Sequence, residues 1–213
     1  MEEPGAGRKA SSRDEYAKYL KGLGRVDDAA ALGKVDYDEV LRVRKEGVGG
    51  GEMPEIISKF NYKSKYDEVE FATQLKNQEK GLNDLTISEF VENRRNYNEL
   101  GRSKKATNLQ KELREQFKQD KIEELLKTGS SYEDAVNEAE KWMKTQAVLH
   151  DPDQIAGGNP MNLNGLGDKN INSSIGSQWR YRIDDLEKQI MDFANTIPKG
   201  EWGNVKLNIK LTY

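Results

Sequence analysis

The sequence predicts an α+β domain that is mostly helical, with four or five helices and a small antiparallel sheet that includes the C-terminal strand. Two observations carry this prediction. Between residues 65 and 148, apolar residues recur at helical spacing, punctuated by capping residues and glycines. Residues 205–213 instead alternate strictly between apolar and polar. The first period belongs to helices with one buried stripe, the second to a strand with one buried face.

Residues 1–51 read as a leader set apart from this domain. They hold 9 of the 19 glycines and ten residues of each charge, with weak helical patterns at residues 15–23 and 37–46. Gly47-Val48-Gly49-Gly50-Gly51 closes them as a flexible joint. A disordered leader and the end of a longer polypeptide cut upstream of its last domain both fit.

From residue 52 the punctuation sharpens. A helix over residues 65–80 is expected to stop at Gly81. Thr86-Ile87-Ser88-Glu89 is a capping box that opens a second helix to Leu100. Residues 103–127 form a long charged helix, and Ser130 and Ser131 cap another that runs to Val148. Residues 150–177 contain five Gly, five Asn and two Pro and read as a long loop, either functional or disordered. A last helix spans residues 180–195, with Ser177 as a natural cap. The C-terminal strand needs a partner, best sought in residues 54–62.

Composition removes several function classes. Hydrophobic residues make up 35% of the 213 and charged residues 33%, and no apolar run is long enough to span a bilayer. The N-terminus lacks the apolar stretch of a signal peptide. Without cysteine there are no disulfides, thiolate metal sites or cysteine nucleophiles. The formal net charge of -3 gives no global attraction to nucleic acid, so such binding needs a local basic patch. Any imidazole chemistry falls to His150, the single histidine.

His150-Asp151-Pro152-Asp153 is the sharpest local feature. Proline disfavours α geometry at the residue before it, so the preceding helix ends near Leu149. Asp151 suits a cap and Pro152 the first position of a short turn, which puts His150 and Asp153 in a bend. A neutral imidazole takes a proton from water, while a neighbouring carboxylate holds the ring or a divalent cation. A purely structural histidine is the alternative. Asp168 is a candidate second carboxylate for a hard cation such as Mg²⁺. Asn172, Ser173, Ser174 and Gln178 sit in a small-residue stretch that suits approach to an anion, or serves as turn chemistry. Residues 102–127 carry eight Lys or Arg against five Asp or Glu, with Lys104 and Lys105 at the front. This helix is either a phosphate-backbone track or a solvated face.

Together these blocks resemble a family. Glu70-Phe71-Ala72-Thr73-Gln74-Leu75, Gln78, Gly81-Leu82-Asn83, Leu85-Thr86, Glu89-Phe90 and Asn93-Arg94 are similar to the helical half of the polymorphic toxin type 15 domain. His150-Asp151-Pro152-Asp153-Gln154-Ile155-Ala156-Gly157-Gly158, Gly167-Asp168 and the stretch from Asn172 to Trp179 resemble its other half. The hallmark His-x-x-Asp pair is matched by His150 and Asp153. The resemblance covers roughly residues 60–195.

It implies a secreted antibacterial nuclease, generally a metal-dependent DNase, acting in the cytoplasm of the target cell. The nuclease would form the C-terminal tip of a larger delivery protein, commonly an LXG-type bacterial polymorphic toxin, and be neutralised by a cognate immunity protein. On that reading residues 1–51 link to the upstream delivery domain and residues 52–213 are the toxin. His150 and Asp153 are then the catalytic pair, Asp153 and Asp168 bind Mg²⁺ or another divalent cation, and Lys104, Lys105, Asn172, Ser173, Ser174 and Gln178 bind substrate. An RNase toxin and a non-catalytic helical interaction module are the alternatives.

Overall fold

The computed structural model describes residues 52–213; the leader, with its two weak helical patterns and its glycine joint, lies outside the described residues. Strand β1 (Ile56–Lys59) is followed by helices α1 (Glu68–Asn83), α2 (Ile87–Leu100), α3 (Lys104–Lys127) and α4 (Tyr132–Thr145). Then come β2 (Gln146–His150), a short 3₁₀ turn (Gln154–Ala156), β3 (Leu163–Asp168), α5 (Lys169–Trp179), α6 (Ile183–Ala194), a second 3₁₀ turn (Lys199–Glu201) and β4 (Ile209–Thr212). The domain is α+β and mostly helical, as expected, with six α-helices among the described residues rather than four or five.

The C-terminal strand finds its partner in the expected segment, but the pairing is parallel. Ile56 lies opposite Ile209 and Lys59 opposite Thr212. Nearly the whole domain separates β1 from β4, so the chain has the long crossover that a parallel pair requires. The antiparallel pair is β2 with β3, a second two-stranded sheet. Alternation holds through the C-terminus: Val205, Leu207, Ile209 and Leu211 are buried. Side chains of α1 seal the outer edge of β4. Asn83 donates to the Ile209 carbonyl at 2.9 Å and accepts from its N–H at 2.7 Å, and Glu79 accepts from the Leu211 N–H at 2.8 Å. An edge that would otherwise template further strands is thereby closed.

Two of the predicted caps are present: Thr86 and Glu89 form the reciprocal capping box of α2, and Ser131 caps α4. Ser103, expected as the first residue of the long helix, is instead the N-cap of α3. Helix α1 does not stop at Gly81, however, and continues to Asn83. Gly81 is there for space: a Cβ would lie 2.5 Å from the carbonyl oxygen of Asp151.

The expected helix to Val148 ends at Thr145, and residues 146–150 become β2. Arg114 of α3 donates to the Met143 carbonyl at 2.8 Å and to the Gln146 carbonyl at 2.6 Å, and Gln110 reaches the Val148 carbonyl at 3.2 Å. Side chains thus take over carbonyls at which the helix would have continued. The expected long loop holds β3 and α5, which Asp168 caps; Ser177, expected to cap the last helix, lies inside α5, and α6 follows Arg182 with no side-chain cap. The helix predicted over residues 180–195 begins only at Ile183.

One core, including Phe60, Phe71, Leu82, Phe90, Trp179 and Ile190, joins α1, α2, α5, α6 and the parallel sheet. Phe60 and Trp179 meet edge to face at 4.9 Å. A smaller cluster of Ile122, Leu125, Ala135 and Ala139 holds α3 to α4.

Candidate active site

His150 ends β2, and the chain then turns through Asp151 and a cis Pro152 into the 3₁₀ turn. Asp153, rather than Asp151, caps that turn, its Oδ1 accepting from the Ile155 N–H at 3.1 Å. The bend expected to present His150 and Asp153 is therefore present, built one residue pair later than its capping residues suggested.

Gln78 of α1 holds the bend. Its side-chain amide donates to the His150 carbonyl and to Asp151 Oδ1 at 2.9 Å. Its oxygen accepts from the Asp153 N–H at 2.8 Å and from Trp179 Nε1 at 3.2 Å. All four hydrogen-bonding positions of this buried amide are used, which fixes the turn against α1 and α5. From the other side, Asn162 donates to the Asp151 carbonyl at 2.6 Å and Asn164 to Asp151 Oδ2 at 3.1 Å. Two asparagines of the expected loop therefore work as struts.

His150 is only 6% exposed. Burial holds its pKa below the usual histidine range; the nearby Asp153 carboxylate opposes that shift and the Arg102 guanidinium adds to it. The ring is thus neutral near pH 7. Gln154 sits 3.2 Å from His150 Nε2, and Nδ1 is buried without a partner. Asp151 shifts the other way: burial raises its pKa, countered in part by Asn164 and Gln78.

Arg102, in the link between α2 and α3, reaches across to Asp153, with Nη2 3.0 Å from Oδ1 and 3.3 Å from Oδ2. Ser103, next in the chain, donates its N–H to Gln154 Oε1 at 3.0 Å. The N-terminus of α3 is thereby tied to both members of the His–Asp pair. Lys104 and Lys105 follow, exposed, in a first turn free of acidic residues. A helix N-terminus of this kind favours anions.

The other predicted residues lie on α5 or at its start. Asp168 Oδ1 accepts from the Asn170 and Ile171 N–H groups at 2.8 and 2.9 Å, as the helix cap. Asp168, Ser173 and Ser174 line a cavity of about 650 Å³ with Lys63, Lys65 and Glu70, and neither His150 nor Asp153 lines it. Gln178 clamps the Asn61 backbone, accepting from its N–H at 2.7 Å and donating to its carbonyl at 3.1 Å. Asn172 is half-buried on α5. Helix α5 meets the His–Asp turn at Gly176, where a Cβ would stand 3.2 Å from Asp153 Oδ2.

No three His, Cys, Asp or Glu side chains gather as a metal cage among the described residues. Asp153 is the carboxylate beside the histidine. An ion of the Mg²⁺ kind takes one or two carboxylates and completes its shell from phosphate oxygens and water; both oxygens of Asp153 here contact Arg102.

Gln78, Arg102, Gln154 and Asn164 were not among the predicted site residues. Gln154 stands within the motif and Arg102 directly precedes the predicted long helix, but the partners that join them across the site, Ser103 and Asp153, lie 51 positions away. Only the fold reveals the pairing.

A mostly helical α+β domain presenting a His–Asp turn beside a basic helix N-terminus is the class that fold and site define. The model of the family described as novel toxin 15 matches residues 65–212, and the chain belongs to that family. It is thus a polymorphic toxin domain, as the resemblance implied. No curated protein matches the chain.

Proposed function

We propose that this domain is an antibacterial nuclease that hydrolyses DNA phosphodiester bonds with a divalent cation, Mg²⁺ or another. The observation that supports this best is the pair of links from the start of α3 to the His150–Asp153 turn, through Arg102 and Ser103. They set a cationic helix N-terminus, with Lys104 and Lys105, next to a neutral imidazole and a carboxylate. A phosphate docked on that N-terminus lies beside the groups that act on it.

His150 takes the proton of the attacking water at its unprotonated ring nitrogen, once substrate has displaced the Gln154 amide, as the water oxygen bonds to phosphorus and the bond to the leaving sugar oxygen breaks. Arg102 trades its contact with Asp153 for the substrate phosphate, freeing the carboxylate to orient water or hold the cation. The cation, when bound, polarises the phosphate. Asp168 lines a cavity that neither His150 nor Asp153 lines, so Asp153 is the principal carboxylate in this reading.

In this reading residues 52–213 act in the cytoplasm of the target cell after secretion by the producer, delivered by an upstream region to which residues 1–51 connect. A cognate immunity protein protects the producer, and one that covers the basic start of α3 carries an acidic surface.

Plasmid cleavage by purified protein with Mg²⁺, with EDTA and with His150→Ala tests the reading. Cleavage that needs both the ion and His150 supports it. Cleavage of total RNA in place of plasmid moves the substrate to RNA. A folded protein inert on both is the interaction module.

A further inference from the structure

We propose that Gln154 is a positioning residue that sets the tautomer of His150, with the ring proton on Nδ1 and the lone pair on Nε2. The inference rests on the reading of His150 as the proton acceptor and names the group that prepares it.

The argument is a chain of donors and acceptors. The Ser103 backbone N–H only donates, and it meets Gln154 Oε1 at 3.0 Å. The amide oxygen therefore faces Ser103 and the NH₂ faces the ring, because the flipped amide would set two donors against each other. That NH₂ also only donates, and it lies 3.2 Å from His150 Nε2. Nε2 must then carry a lone pair, which leaves the proton of the neutral ring on Nδ1. Nothing on the opposite edge competes, since Nδ1 is buried without a partner. A doubly protonated ring would turn an N–H against the amide NH₂, so the same contact disfavours the cation.

The consequence is directional. The lone pair faces Gln154, whose other end is held by Ser103, the N-cap of α3, and Arg102 beside it holds Asp153. The proton-accepting nitrogen, the carboxylate and the cationic helix N-terminus are thus addressed by two consecutive residues, Arg102 and Ser103. Gln154 is itself buried, so its orientation persists until substrate displaces its NH₂ from the ring.

The single histidine makes the test direct. Long-range ¹H–¹⁵N correlation spectra of the full ¹⁵N-labelled chain, without DNA, give one set of ring signals. The expected pattern is a pyrrole-type Nδ1 and a pyridine-type Nε2. Gln154→Glu, whose carboxylate accepts from the ring and still accepts from Ser103, is expected to move the proton to Nε2. A pyrrole-type Nε2 in the unmodified protein overturns the inference, whether or not the variant folds. An unchanged pattern in a folded Gln154→Glu also overturns it. Plasmid cleavage is scored separately. The expected pattern without plasmid cleavage sinks the DNase reading alone, and cleavage with the opposite pattern sinks the role of Gln154 alone.

Discussion

Arg102 and Asp153, 51 positions apart, share two contacts of 3.0 and 3.3 Å, with the guanidinium 51% exposed and the carboxylate 14% exposed. A half-exposed ion pair of this kind contributes only about 0–1 kcal/mol to stability. What the pair does is place a half-exposed guanidinium against the carboxylate beside His150. Arg102→Gln is therefore expected to leave the unfolding midpoint nearly unchanged. It should weaken DNA binding and reduce the slope of log affinity against log salt by about 1, the contribution of one phosphate contact. Anisotropy titrations of a labelled duplex across a salt series measure that slope, and an unaltered slope removes Arg102 from the substrate contacts.

His150→Ala is expected to lower plasmid cleavage by roughly 10²–10⁴-fold, the usual range for a general base. Asp153→Asn, which keeps an acceptor for the Ile155 N–H, should slow cleavage by a comparable factor while the far-ultraviolet circular dichroism is retained. Initial nicking rates at saturating plasmid decide the matter. Wild-type rates in either folded variant would exclude that residue from the chemistry.

The two buried titrating groups of the His–Asp turn, His150 and Asp151, pull stability in opposite directions with pH. His150 is held below its ordinary value chiefly by burial, so on acidification the unfolded chain takes up a proton before the folded one. Its contribution is complete above about pH 6.5 and is lost as the pH falls below that value. Burial raises Asp151, so its contribution is complete below about pH 4 and is lost as the pH rises through its folded value. Urea unfolding of the wild type and of His150→Ala between pH 5 and 7.5 separates them. The wild type should lose stability toward pH 5 more steeply than the variant, and parallel curves would contradict the burial of His150.

Gly81→Ala is expected to destabilise the domain by about 1–3 kcal/mol, because its methyl group would press on the Asp151 carbonyl carbon at 2.6 Å and on the Pro152 ring at 2.7 Å. Gly200→Ala, where a Cβ meets nothing within 4 Å, serves as the control and should stay within about 0.5 kcal/mol. Chemical denaturation of the two variants tests the contrast. Equal effects would mean that α1 and the His–Asp turn do not pack as closely as Gly81 allows.

Local signals were legible wherever the energy is local. The capping box of Thr86 and Glu89 and the cap Ser131 stand where their hydroxyls announced them, since a cap is satisfied by an N–H two or three residues on. Misreadings came where distant groups decided. Gly81 looked like a stop because glycine ends helices, yet its missing side chain makes room for a backbone 70 positions later. Gln146-Ala147-Val148-Leu149 reads as helix until Arg114 and Gln110 take its carbonyls and β3 pairs with it.

The same division runs through the candidate site. By itself the sequence determined that one histidine lies three residues before an aspartate around a proline bend, because that spacing is covalent. It also determined the family, through blocks whose order survives any folding, and the alternation that buries Val205, Leu207, Ile209 and Leu211. Tertiary structure alone decided that β4 pairs parallel to β1, that Asp168 spends an oxygen on α5, and that Gln78, Arg102, Ser103 and Gln154 surround the His–Asp turn. Hydrogen bonds between side chains dozens of positions apart leave no periodicity to read. They form only once burial has brought the helices together and the buried polar groups must find partners.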